Sequence, residues 1–179
     1  MIMEKSDGVG RTVISKERLR KRVIDLGREI SEDYKGLHPV VVSVLRGGMF
    51  FLSDLTRAIS IPIHVDTLSI GRYPEGQSIS GAVKITKDLD ILITGRHVII
   101  AEDIVDTGLT LAYLTRILKN HKPESLHVCA LLNNVARRFI NLPLRYVGFN
   151  IPDIFVVGYG LDFNEDFRHL EYIAEYKIP

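Results

Sequence analysis

Between residues 15 and 34, apolar side chains recur at Leu19, Val23, Leu26 and Ile30, the three- and four-residue spacing of a single helical face. Ser15 is placed to cap that helix, Glu17 suits its first turn, and Gly36 and Pro39 stop it. The period then changes. Residues 40–45 form a continuous run of mostly β-branched residues, which predicts a strand covered on both faces. Arg46-Gly47-Gly48 breaks the run, and Met49, Leu52, Leu55 and Ala58 or Ile59 predict a second helix. Residues 61–66 open another strand. Residues 71–82, rich in Gly, Ser and Pro and without a period, predict a long loop able to act as a lid. A third helix follows from Leu111, Leu114, Ile117 and Leu118, and short strands are expected at 126–132, 146–149, 155–159 and 172–174. Strands alternating with helices predict an α/β fold, a mostly parallel twisted sheet flanked by helices with right-handed crossovers. In such sheets ligands bind beyond the C-terminal ends of the strands.

At 179 residues, 46% hydrophobic and 25% charged, the chain suits one globular domain spanning 1–179. Lys+Arg 23 against Asp+Glu 22 leaves a net charge of +1, so bulk electrostatics give no case for nucleic acid or an acidic membrane. The single Cys129 lies in an apolar run, which points to a buried inert thiol and excludes an internal disulfide. Nothing at the N-terminus resembles a signal peptide, and no run approaches the roughly 18 apolar residues of a membrane span. A cytoplasmic location is the expectation. The histidines are scattered without HExxH or CxxC companions, against a zinc site, and neither GxGxxG nor GxxxxGK[ST] occurs, against a Rossmann dehydrogenase or a P-loop kinase.

The chemistry concentrates in residues 97–111. An apolar run rises to Glu102-Asp103, reaches a third carboxylate at Asp106, and turns through Thr107-Gly108-Leu109-Thr110 into a helix. A helix start offers unpaired N–H groups and a positive dipole end, suited to a phosphate. Three carboxylates beside a phosphate cradle suit a ribose diol to be gripped and a proton to be removed. Asp-Thr-Gly is also the aspartic-protease tripeptide, but the helical pattern that follows is foreign to those all-β enzymes.

This stretch resembles the phosphoribosyl-pyrophosphate (PRPP) signature of type I phosphoribosyltransferases, and its Glu-Asp-Ile-Val-Asp-Thr-Gly wording is similar to the hypoxanthine-guanine branch. The resemblance implies that Glu102 and Asp103 bind the ribose hydroxyls. It makes Asp106 the catalytic acceptor of the purine proton, and it wraps Asp106, Thr107, Gly108, Leu109 and Thr110 around the 5′-phosphate. Leu109 stands where other members carry Lys or Asn. Leu45-Arg46-Gly47-Gly48 resembles the pyrophosphate loop, with Arg46 and Gly47 on the diphosphate and the peptide after the basic residue expected cis. Residues 148–162 resemble the family's purine hood, which implies that Phe155 stacks on the base, Val156 reads its edge through the main chain, and Asp162 lies near the 2-position and a metal. The hood is expected mainly at 148–179, with the N-terminal segment. Arg168, in Phe167-Arg168-His169-Leu170, would reach the pyrophosphate. The implied cofactor is Mg²⁺, held directly or through water by Glu102, Asp103 and Asp162.

Two positions depart from the family pattern. Asn134 stands where Leu-Leu-x-Lys usually supplies a lysine to the purine 6-oxygen, and Arg72-Tyr73 replaces a Ser-Tyr pair in the lid. The resulting expectation is Mg²⁺-dependent transfer of phosphoribose from PRPP to hypoxanthine or guanine, giving IMP or GMP and pyrophosphate, by a homodimer or homotetramer that binds neither nucleic acid nor membrane. Asn134 leaves a relative tolerant of adenine as the alternative, and a nucleotide-binding regulatory protein on the same fold is the alternative from another class.

Overall fold

The computed structural model describes residues 8–72 and 83–178. Strand β1 (Val9–Ile14) leads into helix α1 (Lys16–Asp33), followed by β2 (Val40–Leu45), α2 (Met49–Ala58), β3 (His64–Arg72), β4 (Val83–Lys87) and β5 (His97–Val105). Helix α3 (Leu109–Asn120), β6 (Ser125–Asn134), a 3₁₀ turn (Val135–Arg137), β7 (Tyr146–Ile151), β8 (Val156–Val157) and β9 (Ile173–Tyr176) complete the described chain. The helices form where the periodicity places them. Ser15 caps α1 by accepting the Arg18 N–H at 3.4 Å, and Leu19, Val23, Leu26 and Ile30 are buried. Gly27 on the same face lets α1 approach α2 closely, since a Cβ there would lie 2.6 Å from the Ala58 backbone. In α2 the buried face is Phe51, Leu52 and Leu55, while Met49 is exposed; the stripe is rotated toward Phe51 relative to the expected Met49-Leu52-Leu55 face.

A six-stranded sheet has the order β4-β3-β2-β5-β6-β7, parallel except for β3 against β4. Alternate residues of its central strands feed two cores. Val41, Ile99 and Ala101 pack under α1 and α2, whereas Val40, Val42, Val98 and Ile100 pack with α3. Burial raises the Cys129 thiol far above its usual range, in keeping with an inert core residue.

A second, three-stranded sheet, β1-β9-β8, joins the N-terminal strand to the C-terminal third. Residues 148–151 of the expected hood end β7 and are hydrogen-bonded into the large sheet against β6, whereas β8 and β9 share the small sheet with the N-terminal strand. Of the expected lid, Gly71 and Arg72 end β3, whereas Tyr73 and the rest of 73–82 lie outside the described residues.

Candidate active site

The chain runs from β2 to β3 on one side and later places β5 on the other, so the sheet order reverses between β2 and β5. Such a switch point opens a crevice at the strands' C-terminal ends. Here β2 pairs with β5 only as far as Ser43 against Ala101, while β5 continues beside β6 to Val105 against Asn133. Glu102 and Asp103 follow directly where β2 peels away, and they lie inside β5 rather than in the loop after it. A cavity of about 280 Å³ sits at this divergence, lined among others by Gly47, Glu102, Asp103, Asp106, Thr107 and Thr110. Residues far apart in sequence and expected to handle one ligand thus face one space.

The two adjacent carboxylates are held in an unfavourable environment for charge. Glu102 is 7% exposed, and burial followed by repulsion from Asp103 raises its proton affinity well above the usual carboxylate range. Asp103 is pushed up to about 6, chiefly by burial, although its Oδ1 accepts the Ile104 N–H at 2.7 Å. No group of three or more His, Cys, Asp or Glu side chains among the described residues converges to hold a metal ion by itself. The buried acidic pair nonetheless fits a divalent cation that takes its remaining ligands from a polyanionic substrate and water, the usual manner of Mg²⁺.

Past Val105 the chain turns through Gly108, whose φ of +83° suits glycine, and starts α3 at Leu109. Thr107 Oγ1 accepts the Leu109 N–H at 3.4 Å, and Leu109 itself is exposed. The first-turn N–H groups of α3 border the cavity, an arrangement that can bind a phosphate through backbone donors. Across the cavity, Gly47 touches Asp103 so closely that any Cβ would strike Asp103 Oδ2. The cis peptide of this loop is Leu45-Arg46, one bond before the position expected from the sequence.

The two arginines expected at the pyrophosphate are joined by a carboxylate that the sequence reading did not single out. Glu165 accepts from Arg46 at 2.7 Å through Oε1 and from Arg168 at 3.3 Å through Oε2. Arg168 also donates to the Gly160 carbonyl at 2.7 Å and pairs with Asp162 at 2.8 Å. The second oxygen of Asp162 accepts the Glu165 N–H at 2.9 Å. Asp162 and Arg168 are thus tied to the hood's own turn. Gly160, at φ +100°, abuts the Gly47 carbonyl and brings that turn onto the loop after β2.

The expected base-binding residues lie outside the cavity's lining. Phe155 is 37% exposed, with edge-on contacts to Phe163 and Tyr176 at 5.9 and 6.2 Å between ring centres, so one aromatic surface is open. The Phe155 carbonyl accepts the Tyr176 N–H at 2.8 Å. Antiparallel hydrogen bonding alternates, so the next pair, Val156 with Glu175, is the non-bonded kind. The main-chain groups of Val156 therefore point away from β9, off the outer edge of a three-stranded sheet in which β8 is the edge strand. Asn134 is 1% exposed, and its Oδ1 is buried without a hydrogen-bond partner. An orphaned buried amide oxygen is unfavourable by about 1–3 kcal/mol and marks a site where an outside donor would be welcome. Arg137 lies 3.2 Å from Asp106, a pairing across segments that sequence spacing does not show.

Three comparisons bear on this constellation. The family model for the phosphoribosyl transferase domain matches residues 13–164. A hypoxanthine phosphoribosyltransferase of Salmonella typhimurium is 43% identical over 165 residues, 91% of this chain and 93% of that protein. Among solved structures, a hypoxanthine-guanine phosphoribosyltransferase of Bacillus anthracis superposes with TM-score 0.88 at 42% identity, covering 94% of this chain and 99% of that one. A hypoxanthine phosphoribosyltransferase of Staphylococcus aureus gives TM-score 0.90 at 36% identity, covering 98% and 96%.

Proposed function

Because this chain belongs to the phosphoribosyl transferase domain family, we propose that it transfers the 5-phosphoribosyl group of PRPP to a 6-oxopurine, hypoxanthine or guanine, releasing pyrophosphate and forming IMP or GMP. The observation that carries the reading is the single cavity shared by Gly47, the Glu102–Asp103 pair, Asp106 and the first turn of α3. A ribose 5-phosphate with a diphosphate at C1′ needs a diol acceptor, a phosphate cradle and a backbone free to approach the leaving group. Those elements border one space.

In this mechanism the turn at Thr107–Thr110 holds the 5′-phosphate, and Glu102 and Asp103 accept from the ribose hydroxyls. The purine lies against Phe155, with the outward main-chain groups of Val156 on its edge and Asp162 near the 2-position. As the bond from N9 to C1′ forms, the bond from C1′ to the pyrophosphate oxygen breaks with its electron pair. The proton of the imidazole ring passes to Asp106. Arg46 and Arg168 exchange Glu165 for the departing diphosphate, whose developing charge they stabilise. Mg²⁺, when bound, neutralises part of the charge on PRPP; Glu102 and Asp103 would hold it, with Asp162 through water. The buried pair fits that role, since a cation offsets the burial that chiefly raises both proton affinities, along with the repulsion of Glu102 by Asp103 and of Asp103 by Asp162.

The test is an initial-rate assay with PRPP against hypoxanthine, guanine, xanthine and adenine, in wild type and Asp106→Asn. Nucleotide formation with hypoxanthine or guanine is expected, with kcat lowered about 10²–10⁴-fold by Asp106→Asn, the span typical of general-base assistance. Absence of nucleotide from either 6-oxopurine would overturn the reading.

A further inference from the structure

The 3₁₀ turn after β6 carries a cation that the scheme above does not use. One terminal nitrogen of Arg137 lies 3.2 Å from Asp106 Oδ2, and its Nε lies 3.5 Å from Asp153 Oδ1, in the connection between β7 and β8. The segment that carries it is fastened to the Asp-Thr-Gly turn. The N–H groups of Phe139 and Ile140 both donate to the Thr107 carbonyl, at 3.0 and 3.2 Å. Gly108 faces the Ile140 carbonyl so closely that an added Cβ would lie 2.6 Å away. The remaining carboxylate oxygen of Asp106, Oδ1, is buried and has no hydrogen-bond partner.

We infer that Arg137 is a positioning residue for the transfer reaction: it engages Oδ2 of Asp106 and fixes the plane of that carboxylate, so that the proton acceptor meets the purine in one orientation. The inference rests on the assignment of Asp106 as proton acceptor. A carboxylate with both oxygens free rotates about its last bond and presents either lone-pair set. Held by one oxygen, it meets the base in a fixed orientation. Misplacing a reacting group by about 1 Å lowers rate on the order of 10²-fold, so the orientation that Arg137 imposes bears directly on kcat. Through Asp153, the same guanidinium ties the turn beneath the phosphate site to the approach to the hood.

Arg137→Gln keeps hydrogen-bonding capacity but loses the charge and the planar fork. It should lower kcat by about 10–100-fold while changing the KM for PRPP less than about threefold, because only the reacting geometry is disturbed. Arg137→Lys, which restores the charge, should recover part of the loss, and it carries the same comparison if the Gln variant does not fold. In an Asp106→Asn background, Arg137→Gln should have no further effect. An equal loss in that background would overturn the inference, since Arg137 would then not act through Asp106. So would an unchanged kcat with a raised KM for the purine, which would make Arg137 a reader of the base. The assignment of Asp106 fails separately, if Asp106→Asn alone retains full kcat whatever residue 137 is.

Discussion

Replacing Asp103 by asparagine should make the free protein more stable at neutral and alkaline pH, although the residue is assigned to substrate. In the folded chain the Asp103 carboxyl is pushed up to about 6 from an ordinary 3.8, chiefly by burial. Below the ordinary value, folded and unfolded chains are both protonated and the group contributes nothing. Between the two values the folded chain keeps a proton that the unfolded chain has lost, so stability falls as pH rises. Above about 6 both are ionised and the full penalty is present. At about 1.36 kcal/mol per pKa unit the shift corresponds to about 3 kcal/mol, and partial solvent access reduces this to about 1–3 kcal/mol. An asparagine carries no charge, and its Oδ1 can still accept the Ile104 N–H. For a protein of this size the gain translates to about 2–12 °C in Tm, at 2–4 °C per kcal/mol. Thermal unfolding followed by circular dichroism from about pH 4 to about pH 7 measures it, with wild type losing more Tm than Asp103→Asn as pH rises to about 6, while the buried Glu102 gives both proteins a slope of its own. The variant should also lose the Tm increase that PRPP with Mg²⁺ gives the wild type. A wild-type Tm independent of pH, with no advantage for the variant at the alkaline end, would refute the electrostatic account of the pair.

Excess chelator should abolish nucleotide formation and Mg²⁺ or Mn²⁺ should restore it, because PRPP otherwise faces Glu102 and Asp103 unshielded; the rate measured after metal addition decides. Asn134→Lys places a cation where the buried Oδ1 has no partner, and should shift kcat/KM toward hypoxanthine over adenine by about 1–2 kcal/mol, or five- to thirty-fold. An unchanged base ratio in a variant that still folds would mean that this position does not face the purine. Gly160→Ala should raise the KM for PRPP and lower Tm by several degrees, since its φ of +100° and its contact with Gly47 leave no room for a Cβ. Unchanged values for both would show that the hood turn and the loop after β2 separate freely.

The parts of the molecule legible in sequence are those whose causes are local. The apolar run before Glu102, the glycine at the head of α3 and the Ser15 cap of α1 each need only a few neighbouring residues to be understood. β1 was not visible in this way. Half of its six residues are exposed and the strand carries no alternation; it forms because β9 lies beside it. Met49 fits the period of α2 as well as Phe51 does; the sheet beneath selects Phe51. The contacts of Glu165 with Arg46 and of Arg137 with Asp106 are likewise pairings across distant segments, for which single-sequence patterns have no register. The cis bond at Leu45-Arg46 falls one peptide from the expected place.

The outer edge of β8 has a consequence for how selectivity could change. Open strand edges ordinarily invite another strand, and proteins blunt them with charge, brevity or cover. Here the outer edge is only two residues long, Val156–Val157, and both are buried, so a planar heterocycle could complete the sheet as a neighbouring backbone would. Contacts of this kind are written in peptide groups, which substitution at residue 156 leaves in place. Drift in base preference would then have to come from the few side chains around the ring, Asn134 foremost, while the backbone frame stays the same for every base that reaches it.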